Sequence, residues 1–85
     1  MRIYTLLLLT VCASPAFASP QCTTEPKAKW MAEADMKAKI AATGDKVEIF
    51  KITKGNCYEI YGRNAKGKRI EIYFNPVTGE PVKES

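Results

Sequence analysis

The sequence predicts an α+β fold, in which one N-terminal helix packs on an antiparallel meander sheet of three or four strands and one disulfide is present. Helix formers dominate residues 31–43, and beyond them the hydrophobic pattern changes to the alternation typical of strands. Segments rich in glycine, asparagine and proline separate the apolar stretches that follow. A single helix followed by consecutive strands gives an α+β domain.

The first 18 residues have the form of a secretory signal peptide. Arg2 precedes an apolar run at residues 3–11, and Ala16 and Ala18 supply the small residues that a signal peptidase needs. A membrane span needs about 20 apolar residues, roughly twice this run, so an uncleaved anchor is the weaker alternative. We expect export to the periplasm or the medium, a mature chain that begins at Ser19, and no stable membrane insertion after cleavage.

The cysteines fit an exported protein. Lipidation of Cys12 is an alternative to its removal with the signal peptide, but Val11 stands where that processing expects a small residue. After cleavage Cys22 and Cys57 remain, and we expect them to form a structural disulfide. They could instead serve as a reactive thiol or as metal ligands, although the chain has no histidine and no C-x-x-C pair to support either role.

The helical region follows an extended N-terminal lead at residues 19–30. We expect the helix over about residues 31–43, with Gly44 as its terminator. Met36 and Ile40 form a narrow apolar stripe on it, which the strands must cover. Trp30 is predicted to anchor the helix on the sheet.

The strands follow in order and are separated by turns. Residues 47–53 are rich in β formers but nearly continuous in hydrophobicity, so the pattern does not settle which side chains face the helix. The next two strands alternate clearly, and Pro81 restricts the last one to a sheet edge because proline lacks a ladder donor. These three later strands are predicted at residues 57–61, 69–74 and 80–82.

One face of the predicted sheet carries the candidate binding residues. Alternation places Glu59 and Tyr61 of one strand on the same side as Arg69, Glu71 and Tyr73 of the next. This face, or the open edge strand, is the predicted partner-binding surface. Glu59 and Glu71 could also form an acid and base pair, but a solvated face balanced by Arg69 and nearby lysines is the simpler interpretation.

The charge distribution and the absence of known catalytic and binding motifs argue against several classes of function. The chain has 13 basic and 9 acidic residues, and the lysines are spread out rather than gathered into a stripe, so we expect no nucleic-acid partner. The sequence contains no glycine-rich phosphate loop, no nucleophile elbow and no cluster of metal-ligand residues. We therefore expect no cofactor and no enzyme activity.

The strand and turn sequences resemble the PepSY domain of small exported bacterial proteins. The resemblance rests on residues 57–60, residues 66–73 and the closing turn at residues 75–80, which is its most specific part. It extends over about residues 22–82, and the domain itself is expected at residues 31–85.

Two positions depart from the family pattern. Asn75 stands where PepSY domains usually have aspartate, and Asp45 stands where an aromatic residue commonly follows the helix glycine. Asparagine suits a turn as well as aspartate does, so the fold is not affected.

The resemblance implies a non-catalytic, exported binding or regulatory module. PepSY domains occur in the propeptides of secreted metallopeptidases and in envelope proteins, and a role in restraining peptidases has been proposed for them. The implied partner is a peptidase or another envelope or secreted protein, and the family brings no catalytic residues. A thiol redox protein or a carboxylate-dependent hydrolase is the competing hypothesis.

Overall fold

The computed structural model describes residues 19–85, and the predicted signal peptide lies outside this range. The chain forms one helix on a four-stranded antiparallel sheet whose strands lie in chain order, which confirms the predicted fold class. A single 3₁₀ turn at Lys27–Lys29 precedes the helix. The helix and strands are α1 (Glu33–Ala41), β1 (Lys46–Ile52), β2 (Tyr58–Arg63), β3 (Arg69–Phe74) and β4 (Pro81–Glu84).

Helix α1 begins later than the sequence pattern predicts, because tertiary hydrogen bonds hold Met31 outside the helix. Its N–H donates to the carbonyl of Pro76 over 2.8 Å, and its carbonyl accepts the hydroxyl of Tyr58 over 2.6 Å. At the other end the helix stops at Ala41, two residues before the predicted limit, and Gly44 follows it with a φ of 94° that favours glycine. Tertiary contacts therefore determine where the helix begins, and Gly44 marks where it ends.

A bulge in β1 decides the orientation that the sequence left open. The register shifts between Val47 and Ile49, after which Phe50 lies opposite Ile60 and faces the helix. Ile49 and Lys51 consequently face the other side of the sheet, which we call the back face.

Gly62 of β2 lies beside this bulge, and any side chain there would collide with neighbouring backbone. A Cβ on Gly62 would overlap the carbonyl oxygen of Lys46 in β1. Glycine is therefore needed for the two strands to approach each other at this point.

The hydrophobic core lies between α1 and the opposite face of the sheet. Trp30 contacts the Tyr58 ring edge-on, with ring centroids 5.6 Å apart, and so anchors the start of the helix as predicted. Partly buried residues, including Met31, Val47, Phe50 and Ile70, extend the core outward. The buried core consists of Met36, Ile40, Tyr58, Ile60, Ile72 and Phe74.

The N-terminal lead is joined to the sheet by the predicted disulfide. Cys22 and Cys57 are bonded, with their Cα atoms 5.1 Å apart, and the Cys57 side chain is fully buried. The N–H of Cys22 donates to the carbonyl of Gly55 over 2.9 Å, and its carbonyl accepts the Asn75 amide over 3.0 Å. Asn75 thus supports both the closing turn and the lead.

Candidate functional site

The back face of the sheet brings four of the predicted site residues into one cluster. Glu59 lies directly opposite Tyr73, and Tyr61 lies directly opposite Glu71, because β2 and β3 pair without a register shift. Side chains opposite each other on one face of an antiparallel pair are close enough to interact. We call these four residues the Tyr–Glu cluster. Arg69 lies beside it, where it lines a shallow depression with Tyr61 and Glu71.

Hydrogen bonds connect the four members of the Tyr–Glu cluster. The Tyr73 hydroxyl donates to Oε2 of Glu71 over 3.2 Å. Hydrogen bonding of Glu59 with Tyr61 and with Glu71 shifts the pKa values of all three groups. Two carboxyl groups can form such a bond only when one of them holds a proton.

The cluster shifts the pKa values of its members in opposite directions. Burial raises the pKa of Glu59, and the hydrogen bond with Glu71 raises it further. The same hydrogen bond lowers the pKa of Glu71. The hydrogen bond to Glu59 raises the pKa of Tyr61 to about 12. Of the two carboxyl groups, Glu59 therefore binds a proton more readily than Glu71.

Burial of Glu59 corrects the simpler sequence interpretation of a solvated face. Its side chain is only 5% exposed, and the groups that bond it are tyrosines and Glu71 rather than Arg69. Tyr61 is 37% exposed, so the outer part of the face does reach solvent. Strand alternation predicts which residues share a face, but it does not show that they bond to one another.

Groups from the flanking strands and the lead complete the surroundings of the cluster. Nζ of Lys51, on β1, lies 5.3 Å from the centre of the Tyr61 ring. Lys83, on β4, lies opposite Tyr73 and lowers the pKa of Glu71. Ser19, at the start of the described lead, lowers the pKa of Tyr73. The lead, β1 and β4 therefore all contribute to the site.

A second candidate surface lies between α1 and the edge strand β4. A groove of about 210 Å³ opens there, with an apolar floor that includes Met36, Ile40 and Phe74. Strand β4 begins at Pro81, as an edge strand should, but runs to Glu84 and so extends beyond the predicted edge at residues 80–82. All four of its residues are exposed.

Residues 19–85 contain neither a metal-binding cluster nor a helix that could span a membrane. Within this range no group of three or more histidine, cysteine, aspartate or glutamate side chains is arranged to hold a metal ion. No helix in the same range has the length and apolar character needed to cross a membrane.

Comparison with known proteins identifies the family. No curated protein and no solved structure matches the chain. The sequence profile of a family described as peptidase propeptide and YPEB domain, PepSY_2, matches residues 2–85. The match covers nearly the whole chain and agrees with the resemblance seen in its strands and closing turn. The chain is therefore a member of the PepSY family.

Proposed function

We propose that the protein is an exported, non-catalytic binding or regulatory module that restrains a peptidase or another envelope protein through its back face. Membership of a family described by peptidase propeptides supports a non-catalytic module of this kind. The observation that carries the choice of surface is the exposed ring of Tyr61, which the Tyr–Glu cluster holds in a fixed position.

The composition of the back face suits a protein partner. Tyr61 is 37% exposed, and Ile49, its neighbour across the strand pair, is 53% exposed. Arg69 lies on the other side of Tyr61. Tyrosine and arginine are enriched at protein interfaces, and a preorganised aromatic side chain loses little conformational entropy on binding. The exposed aromatic and aliphatic surface is therefore the part of this face that we expect a partner to cover.

The test of this surface is capture of a partner from an envelope fraction by the folded, oxidised domain. Tyr61→Ser is expected to reduce capture at least about fivefold while the melting temperature stays within a few degrees, because changes at exposed positions usually cost under about 0.5 kcal/mol. Tyr73 is half-buried whereas Tyr61 is exposed, so the single variant disturbs less buried surface than a double tyrosine variant would.

Two further variants distinguish binding at the back face from binding at the edge strand β4. Ile52→Ser changes a 45% exposed residue on the helix side of the sheet and is expected to leave capture unchanged. Val82→Ser changes the edge strand, where Val82 is 46% exposed. Loss of capture in Val82→Ser with normal capture in Tyr61→Ser would reject the back face and assign binding to a peptide strand added at β4.

The export part of the proposal predicts a defined mature N-terminus. Because Ala16 and Ala18 provide the A-x-A pattern, the protein purified from the periplasm or medium is expected to begin at Ser19. Intact-mass measurement checks this result. A mass that includes Met1, or one that includes a lipid on Cys12, would contradict it.

The competing enzyme hypotheses have their own simple tests. A thiol redox protein would show two thiols that alkylate quickly without denaturant, whereas a structural disulfide leaves none. A hydrolase that uses Glu59 and Glu71 would lose its activity in Glu71→Gln. The binding proposal instead requires the purified domain to bind its partner without thiol reactivity and without hydrolase activity.

A further inference from the structure

The two carboxyl groups of the Tyr–Glu cluster are placed where two negative charges would be costly. Glu59 is 5% exposed and bonded to Glu71 on the neighbouring strand. Two adjacent carboxylates repel each other, and the repulsion is stronger in a buried site than in water. The geometry therefore favours a state in which the pair keeps one proton.

Each element around the pair presents a polar or charged group, and Lys51 of β1 lies directly opposite Glu59. On β1, Lys51 lies over the Tyr61 ring. On β4, Lys83 acts on Glu71. The polar groups that act on Glu59 are Tyr61 on β2 together with Glu71 and Tyr73 on β3. The lead contributes Ser19, which lowers the pKa of Tyr73 and whose α-amino group also titrates in the mature chain expected to begin there. Ionisation of Glu59 therefore places a charge in a buried site, where desolvation raises its pKa although hydrogen bonding with Tyr61 and Tyr73 lowers it.

We propose that Glu59 and Glu71 share a single proton and form a pH-sensitive switch that controls how firmly the N-terminal lead is held on the back face. With the proton present, the four side chains of the Tyr–Glu cluster stay bonded to one another. Tyr73 is then positioned to bond Ser19. Loss of the proton places two carboxylates under the tyrosines and weakens this arrangement. The switch belongs to the fold itself and does not depend on which partner the domain binds.

The direction of the pH dependence follows from the two opposite shifts. The pKa of Glu59 is raised by burial, so its contribution to stability is full below the unfolded pKa and is lost as the pH rises through the folded pKa. The pKa of Glu71 is lowered by its bond with Glu59, so its contribution is lost as the pH falls through its folded pKa. Stability should therefore be highest when the pair holds one proton. On each side of that range, the unfolding constant should change by up to about tenfold per pH unit.

The first experiment follows the ¹³C carboxyl signals of both glutamates by NMR in the intact oxidised domain. We expect two titration steps, with both signals moving in each step because the proton is shared. Two independent single steps near the ordinary glutamate pKa would overturn the proposal. This measurement uses the parent protein and does not require any variant to fold.

The second experiment measures urea unfolding from acid to alkaline pH in the parent, Glu59→Gln and a control, Glu80→Gln. Glutamine resembles the protonated carboxyl group, so Glu59→Gln should lose the fall in stability on the alkaline side. Glu80 is exposed on the closing turn, so Glu80→Gln should keep the parent profile. An alkaline fall of equal size in Glu59→Gln and the parent would overturn the switch.

The third experiment tests the connection to the lead. The Cys22 N–H donates to Gly55, and its hydrogen-exchange protection factor reports how firmly the lead is docked. Above the upper titration step, this factor should fall about tenfold relative to that of Ile60 in the parent, and stay constant in Glu59→Gln. An unchanged Cys22 factor in the parent would refute control of the lead.

Discussion

Replacing Cys22 and Cys57 together by serine is expected to lower the free energy of unfolding by about 2–5 kcal/mol. The two residues are separated by 35 positions, so the bridge closes a long loop and lowers the conformational entropy of the unfolded chain. A core of this size supplies only about 3–5 kcal/mol, so the loss can equal the entire stability of the domain. The double variant should be largely unfolded at physiological temperature.

Contacts between the lead and the rest of the domain also stabilise the folded state. A Cβ on Gly55 would collide with the carbonyl of Pro20, which shows how closely the lead approaches the turn before β2. Asn75 donates to the Cys22 carbonyl over 3.0 Å. Without the bridge, these contacts must hold a proline-containing extended segment without the help of a tether.

Denaturation midpoints of three samples decide whether the disulfide stabilises the fold. The reduced parent and the double variant should share a midpoint well below that of the oxidised parent, since both lack only the bridge. Coincidence of all three midpoints would exclude a structural role for the disulfide. Rapid alkylation of Cys57 in the native parent would also contradict its full burial.

Much of the fold could be predicted from the sequence because its local signals agree with the tertiary structure. Alternation located β3 at its observed limits, Arg69–Phe74, and Pro81 marked the edge strand. Cysteine parity in a chain expected to be exported, together with the absence of histidine, predicted the disulfide. Each of these features depends on neighbouring residues or on composition, which a sequence shows directly.

The features that the sequence did not predict depend on contacts between distant segments. Met31 stays outside α1 because Tyr58 and Pro76 bond its backbone. The orientation of β1 depends on its bulge against Gly62, which the nearly continuous hydrophobic run conceals.

The candidate site was predicted only in part. Its face follows from strand alternation, but the burial of Glu59 and its closeness to Glu71 depend on the pairing of β2 with β3.

Truncation of Ile60 to alanine is the second change with a large expected effect. Ile60 is fully buried at the centre of β2, between Phe50 of β1 and Ile72 of β3. Removing a buried isoleucine side chain costs its transfer free energy and leaves a cavity, together about 2–5 kcal/mol. The strands on both sides are fixed by hydrogen bonds, so they cannot close the cavity easily, and the loss should lie in the upper part of this range.

Ile49→Ala is the matched control, because it removes the same atoms from the adjoining strand at a position that is 53% exposed. Its cost should stay under about 1 kcal/mol, since little apolar surface returns to water and no cavity forms. Urea unfolding of both variants with the disulfide intact measures the difference. Because the bridge restrains the unfolded chain equally in both, a difference below about 1 kcal/mol would mean that Ile60 does not lie in a rigid core.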